Sequence, residues 1–346
     1  MKKMTAPLTL AASLLSLTLM GTTAHAAVTE APSTVNATYV APSLTRALKP
    51  GEKVDNLYTR NATQDYVLQK LTDHTYWFQR QYYGTIFYVG DKGVLLFDPL
   101  QGRAEQIKAA IASVTDLPIT AIVYSHDHAD HIGDAKAFTS GNSKLRIIAS
   151  EETAEKMDFL NSSLPAVTET VKWPDGTFKF EKLKVELHGF DRPAHTDDAS
   201  AWLLSSESIV HIPDLINPDQ PPFWAFAGSE NYVYFDANLE ALSKLKWDYL
   251  SGGHGNVGSR ADIEFYRTFL SDLRAAVGKA MGEVPWGVGV DGSQVNAHTP
   301  FLPAWYEAIA ENAVETLRPK YGQYYGFESA THENAIMVAE TLFSYQ

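Results

Sequence analysis

A chain of 346 residues, 45% of them hydrophobic, can bury a large core without covalent staples. Its 28 basic and 41 acidic residues leave a formal net charge of −13. That is the wrong sign for holding a phosphate backbone, so nucleic acid is not an expected partner. The absence of cysteine excludes disulfides, thiolate metal ligands, cysteine nucleophiles and lipid attachment through cysteine.

The first 26 residues read as a Sec-type signal peptide. Lys2 and Lys3 give the positive start, residues 8–20 are apolar apart from Thr and Ser, and Ala24-His25-Ala26 is an A-x-A site with cleavage after Ala26. The expected location is periplasmic or secreted, with no stable membrane span after cleavage. The apolar stretch is shorter than the ~20 residues a spanning helix needs. Residues 27–65, rich in Ala, Pro, Thr and Ser, read as an N-terminal arm or surface extension.

Strands and helices then alternate through 66–281. Residues 85–89 and 94–97 read as a hairpin between glycines. Residues 103–114 place Ile107, Ile111 and Val114 at helical spacing. Apolar strands are predicted at 118–124 and 145–149, and a period-two hairpin at 177–187. Residues 201–204 and 209–212 flank a turn. Tyr232, Phe235, Leu239 and Leu242 mark an amphipathic helix, followed by a strand at 247–250. Ser259, with Asp262 three residues on, caps a long helix whose buried stripe is Ile263, Tyr266, Leu270, Leu273 and Val277. Residues 282–346 form a C-terminal extension with helices around 304–317 and 331–343. Its stripe of Trp305, Ile309, Ala313 and Leu317 suits either a pocket cover or a subunit contact in a homo-oligomer. The alternation implies layered α/β packing, with helices outside strands.

The strongest chemical signal is Ser125-His126-Asp127-His128-Ala129-Asp130-His131, directly after the apolar strand. A strand end puts these side chains at the sheet edge, where ligands bind in open α/β folds. His126 and His128, two apart, converge on one metal. Asp130 and His131, adjacent, reach a neighbouring one. Imidazole and carboxylate together suit zinc and other borderline divalent metals. His195, Asp214 and His254 stand at the ends of other predicted strands, the same address as the first cluster.

This pattern, His126-x-His128-x-Asp130-His131 with His195, Asp214 and His254 in that order, resembles the metallo-β-lactamase-fold hydrolase superfamily. The resemblance covers roughly residues 66–275. It implies an α/β fold of αββα four-layer sandwich type, with two divalent metal ions, zinc foremost, at one edge of two facing sheets. It also implies His126, His128 and His195 on one ion, Asp130, His131 and His254 on the other, and Asp214 bridging them. Asp98, in Leu96-Phe97-Asp98-Pro99, matches the family's early strand-end aspartate, which supports the metal loop from behind. The lack of cysteine departs from one class of zinc β-lactamase, and the available Asp214 from another. Bridging-aspartate members include glyoxalase II, quorum-quenching lactonases and many esterases. Diiron oxygen-reducing members usually carry Glu where this chain has His128. Pro213 replaces the usual Gly before the bridging Asp.

The implied activity is hydrolysis of a small ester or lactone by metal-bound hydroxide, with Asp130 as proton shuttle. The alternatives are a β-lactamase, an aryl or alkyl sulfatase, a phosphoesterase and, last, a non-hydrolytic iron protein. Phe223, Trp224 and Phe226, in an aromatic, proline-stiffened loop after Asp214, are the candidate pocket residues for a small-molecule substrate. His74, His188, His298 and His332 read as surface or hydrogen-bonded groups. His211 reads as either a support for the metals or a structural histidine.

Overall fold

The structure is a computed structural model, and it describes residues 31–55, 60, 63–141 and 144–345. The expected signal peptide lies outside the described residues. Among them, no helix is long and apolar enough to cross a membrane.

Near the N-terminus, β1 (Tyr39–Val40) pairs in parallel with β2 (Lys53–Val54). A seven-stranded sheet follows in chain order: β3 (Val67–Lys70), β4 (Thr75–Arg80), β5 (Tyr83–Val89), β6 (Val94–Phe97), β7 (Ile119–Val123), β8 (Arg146–Ser150) and β9 (Glu169–Val171). It is antiparallel from β3 to β6 and parallel from β6 to β9. Parallel neighbours need crossovers. These are supplied by α1 (Ala104–Ala112), by α2 (Ala129–Ile132) with α3 (Lys136–Thr139), and by α4 (Glu151–Phe159).

The second sheet runs β10 (Thr177–Phe180), β11 (Leu183–Gly189), β12 (Ser200–Leu204), β13 (Ile209–His211), β14 (Tyr249–Ser251) and β15 (Val257–Gly258). Only its β13–β14 pair is parallel, and α5 (Phe235–Lys244) makes that crossover. Three long helices close the chain: α6 (Arg260–Glu283), α7 (Phe301–Tyr321) and α8 (Phe327–Ser344).

Strand periodicity explains the layers. Successive side chains point to opposite faces. Trp77, Ile86, Leu95 and Val123 of the first sheet therefore meet Val185, Leu187, Trp202 and Leu204 of the second in one buried cluster. The alternate residues Phe78, Phe87, Leu96 and Ile122 pack beneath α1 on Ile107 and Ile111. On the far side, Leu203, Val210 and Leu250 meet Leu239 of α5, Leu270 of α6, Ile309 of α7 and Val338 of α8. Two sheets lie face to face between two helical layers, the expected αββα sandwich.

The predicted hairpins at 85–97 and 177–187 form, and Asp262 caps α6 by accepting from Ser259 N at 2.7 Å. Strands β3 and β4 fall within the expected alternation of strands and helices, at its start, where no individual element was marked. The N-terminal segment is anchored rather than a free arm. Lys53 is fully buried, and its Nζ donates to both Asp262 oxygens (2.9 and 3.0 Å) and to Val257 O (3.1 Å). A buried charge that loses its partner costs about 3–5 kcal/mol. Lys53→Met should accordingly lower the unfolding free energy by about 3 kcal/mol. An unchanged denaturant midpoint in urea melts would show that this pair does not hold the segment.

Candidate metal centre

The strand end of β7 delivers the histidine-rich turn to the sheet edge, and the one-turn helix α2 begins immediately after His128. Extended backbone at His128 keeps it beside His126, and the helical turn directs Asp130 and His131 to a second position. His195 comes from the β11–β12 loop, Asp214 from the residues after β13, and His254 from the β14–β15 turn.

Gly253 lets that last turn close. Its φ is +78°, and a Cβ there would lie 2.7 Å from His131 Cε1 and 2.9 Å from Pro213 Cβ. The turn also joins the two sheets, because Gly84 N donates to Gly253 O at 2.6 Å and His254 Nδ1 lies 2.9 Å from Tyr82 O.

Seven side chains from these separate elements converge as two sets that share Asp214. In the first, His195 Nε2 lies 3.3 Å from His126 Nε2 and 3.2 Å from His128 Nδ1. Asp214 Oδ2 stands 3.6 Å from His126 Nε2 and 3.3 Å from His195 Nε2. In the second, His131 Nε2 is 2.9 Å from Asp214 Oδ2, and His254 Nε2 is 3.2 Å from Asp214 Oδ1. Asp130 Oδ2 lies 3.5 Å from His131 Nε2 and 3.7 Å from His254 Nε2.

The donor set fits divalent cations. Three imidazole nitrogens meeting at one point repel through their lone pairs unless a proton or a cation lies among them. Asp214 Oδ1 is buried with no hydrogen bond, because His254 approaches it within contact distance but outside hydrogen-bonding geometry. A buried carboxylate oxygen left so is costly unless charge compensates it. The nitrogen and oxygen donors gathered around one shared carboxylate are thus able to bind metal.

Electrostatics separate the two sets. Burial first, and then the neighbouring His131 and His195, hold the His126 imidazole well below its ordinary pKa. Burial and His195 push His128 down as well. Burial opposes the charged form of His131 and His254 too, but Asp214 and Asp130 outweigh it, so both are raised and His254 reaches about 10. For Asp214 burial works upward, yet His131, His254 and His195 together draw it well below the carboxylate range.

Supporting contacts fix the ligands from behind. Asp98 Oδ1 accepts from Ser125 N at 2.9 Å, and Asp98 Oδ2 lies 2.8 Å from His211 Nε2 and 3.7 Å from His131 Nδ1. His211 Nδ1 in turn lies 3.0 Å from Ser251 Oγ. His211 therefore stands one residue behind the metal loop. Asp198, which sequence reasoning passed over, is buried and ties both ligand loops together. It accepts from Asp127 N (2.7 Å) and Thr196 Oγ1 (2.8 Å), with Lys156 Nζ at 3.4 Å. A second acid three residues after His195 was the available signal.

Residues 81–254, half of the chain, match the sequence model of the metallo-beta-lactamase superfamily. The chain belongs to the metallo-beta-lactamase superfamily. Among curated proteins it is 27% identical over 191 residues to 2,4-dinitroanisole O-demethylase subunit alpha of Nocardioides sp. (strain JS1661). That match takes in 52% of this chain and 55% of the relative, so the chain spans about half the length of that relative. Among solved structures, the metallo-beta-lactamase from Pontibacter korlensis superposes with a TM-score of 0.51 at 17% identity, covering 59% of this chain and 98% of that one. The metallo-beta-lactamase IND-7 superposes with a TM-score of 0.52 at 18% identity, covering 60% and 99%. At such identities the two structures establish the shared fold alone.

The part of this superfamily member beyond the matched residues also reaches the site. A cavity of about 490 Å³ opens against His254, and the turn between α7 and α8 supplies one wall. Of the three aromatic residues expected there, only Phe223 lines it, stacked on the His254 ring at 4.9 Å and 12°. Trp224 is about half exposed on the surface and outside the lining. Phe226 is buried in the core against Tyr232 and Phe235, where a left-handed turn carries it. Tyr82, Tyr83, Tyr324 and Tyr325 complete the wall instead.

Proposed function

We propose that this chain is a hydrolase that holds two divalent cations, zinc by its donors, and cleaves a small ester or lactone with water. The observation that carries it is Asp214, whose buried carboxylate belongs to both ligand sets. His126, His128 and His195 would hold one ion, and Asp130, His131 and His254 the other. Bound there, such cations supply Lewis acidity that acidifies water and polarises a carbonyl.

The chain's own part in the reaction falls to Asp130. Its side chain is about a third exposed, whereas His131 and Asp214 beside it are sealed. Burial works to raise its pKa, but His254, 3.7 Å away, and the charge of His131 hold it below the ordinary carboxylate value. An ionised, cleft-facing carboxylate takes the proton from the attacking water and returns it to the departing alkoxide. Water oxygen joins the acyl carbon, the acyl–oxygen bond breaks, and an acid and an alcohol leave. Asp130→Asn, which removes the basic oxygen, should lower kcat by about 100-fold or more with both metals still bound. Full activity of that variant with two metals per chain would exclude the shuttle.

A panel of lactones, aryl and alkyl esters, cephalosporins, aryl sulfates and phosphoesters, run with and without chelator, tests the reading. No chelator-sensitive turnover of any carbonyl ester or lactone would overturn it. The relative named 2,4-dinitroanisole O-demethylase subunit alpha favours a second reading, in which an aryl methyl ether is cleaved. An activated aryl methyl ether therefore belongs in the panel. Residues 1–26 support a place outside the cytoplasm for the working protein.

A further inference from the structure

We propose that the cavity beside His254 is a slot for a flat, uncharged aromatic ring, so that aryl esters are the substrates this chain is built to take. The proposal rests on the hydrolase reading for its chemistry, and on the cavity alone for its choice of ring.

At about 490 Å³ the cavity falls within the ~300–1,000 Å³ of small-molecule sites. One of its walls is aromatic: the rings of Tyr82 and Tyr325 stack on each other, 6.5 Å apart centroid to centroid and tilted by 24°. That spacing lies within the ~4.5–7 Å of stacked aromatic pairs, so the two tyrosines form one continuous aromatic surface on which a flat ring of the substrate can lie. Tyr82 is placed for such contact. It sits at the two-residue tip between β4 and β5 with roughly half its surface exposed, although it is a large aromatic residue with no role in the core. Phe223, stacked on His254, brings a residue that would hold a metal into the same lining.

The charges choose among occupants. Among the described residues lining the cavity there is no lysine or arginine, so a carboxylate, sulfate or phosphate on the distal part of a substrate would find no counterion. The one acid in the lining, Glu328, is already paired with Arg318, which cancels the charge a cationic group would seek. An aromatic wall beside His254, with no unpaired acid in the lining, suits a neutral ring better than a trimethylammonium group, which aromatic cages hold from several sides. In the reaction so placed, water oxygen joins the acyl carbon and the acyl–oxygen bond to the ring breaks. The aryloxide receives the proton, giving an acid and a phenol.

Tyr324 and Tyr325 lie in the turn between α7 and α8, past the residues that match the superfamily. The slot is thus a property of the C-terminal extension, and relatives without these helices should lack the preference.

The test uses the full metal-loaded chain. Binding of 2-naphthol and of decahydro-2-naphthol is measured by calorimetry, beside kcat/KM for 2-naphthyl acetate and cyclohexyl acetate. The aromatic alcohol should bind at least about tenfold more tightly than its saturated counterpart. Tyr82→Ala and Tyr325→Ala should each weaken naphthol by roughly three- to tenfold, with Tyr82→Phe and Tyr325→Phe restoring it. Because Tyr82 is half exposed, its alanine variant keeps the test decisive if the Tyr325 variant fails to fold. Equal binding of both alcohols, or an alanine variant at Tyr82 that binds naphthol as wild type does, overturns the slot. So does tighter binding of a trimethylammonium probe such as choline. Naphthol binding of the expected pattern with no ester turnover leaves the slot standing and removes the hydrolase reading. Turnover indifferent to the ring does the reverse.

Discussion

Replacing Asp214 with alanine should strip tightly held metal from both positions, whereas His128→Ala should leave one ion per chain. Asp214 is the single residue common to the two ligand sets, and its two oxygens lie within 3.6 Å of four imidazoles. Its negative charge is sealed from water, and the other carboxylate of the site, Asp130, reaches only one of the two sets. Loss of a partner that merely supports a metal ligand costs about 10–100-fold in affinity or activity. Loss of a shared ligand should exceed that, with kcat/KM falling by more than about 100-fold. Asp214→Asn separates charge from shape, since it keeps an oxygen in place and removes the anion. It should lose the Asp130–His131–His254 ion first. Elemental analysis after dialysis, beside ester turnover, reads both effects. Two ions per chain retained by Asp214→Ala would mean that the carboxylate does not bridge.

The convergence of the candidate metal residues was legible in the sequence because their spacing is local and their addresses repeat. His126, His128, Asp130 and His131 follow a run of apolar residues that can only be a buried strand, and His195, Asp214 and His254 each follow another. What supports them was less legible. Strands β3 and β4 hide behind Gln69 and Gln79, polar residues that face inward. Gln69 satisfies its amide on Ser43 N and Arg46 O, and Gln79 does so on Arg60 and Gly255 O, so the period-two contrast disappears. Lys53 and Asp262 are 209 residues apart, and no local pattern announces their pairing.

Phe226 reads as a pocket residue from composition alone. Yet Ala225, Phe226 and Ala227 all have φ near +50° (47°, 50° and 58°), a conformation that costs L-residues about 1–2 kcal/mol each. Asn334 of α8 holds the turn, accepting from Phe226 N at 2.8 Å and donating to Pro222 O at 2.7 Å. The same buried residue thereby fixes the loop from which Phe223 reaches His254. Tertiary contact, absent from any short window of sequence, decides which aromatic side chain faces the cavity.

Lowering the pH should release the ion held by Asp130, His131 and His254 before the one held by His126, His128 and His195. An imidazole must give up its proton to bind a cation. His126 and His128 have their pKa pushed down, chiefly by burial, so at pH 7 they are already neutral and lose little affinity on mild acidification. His131 and His254 are raised by Asp214 and Asp130 against the effect of burial, His254 to about 10, so below that pH a cation must displace protons to enter. Each proton displaced costs about a factor of ten in affinity per unit fall in pH. The second position should therefore weaken by roughly tenfold per unit across the neutral range through His254, and more steeply wherever His131 is protonated as well, while the first stays nearly flat. An ion already at the first position adds positive charge beside Asp214 and drives some of those protons off, which makes the steeper fall an upper bound. Calorimetric metal titrations in two buffers of different ionisation enthalpy count the protons directly. The first equivalent should release close to none and the second about one, from His254. Equal proton release by both equivalents would place the protons elsewhere. Activity should then fall on the acid side together with the second equivalent of metal, and excess metal should restore it, which titration of Asp130 alone would not allow.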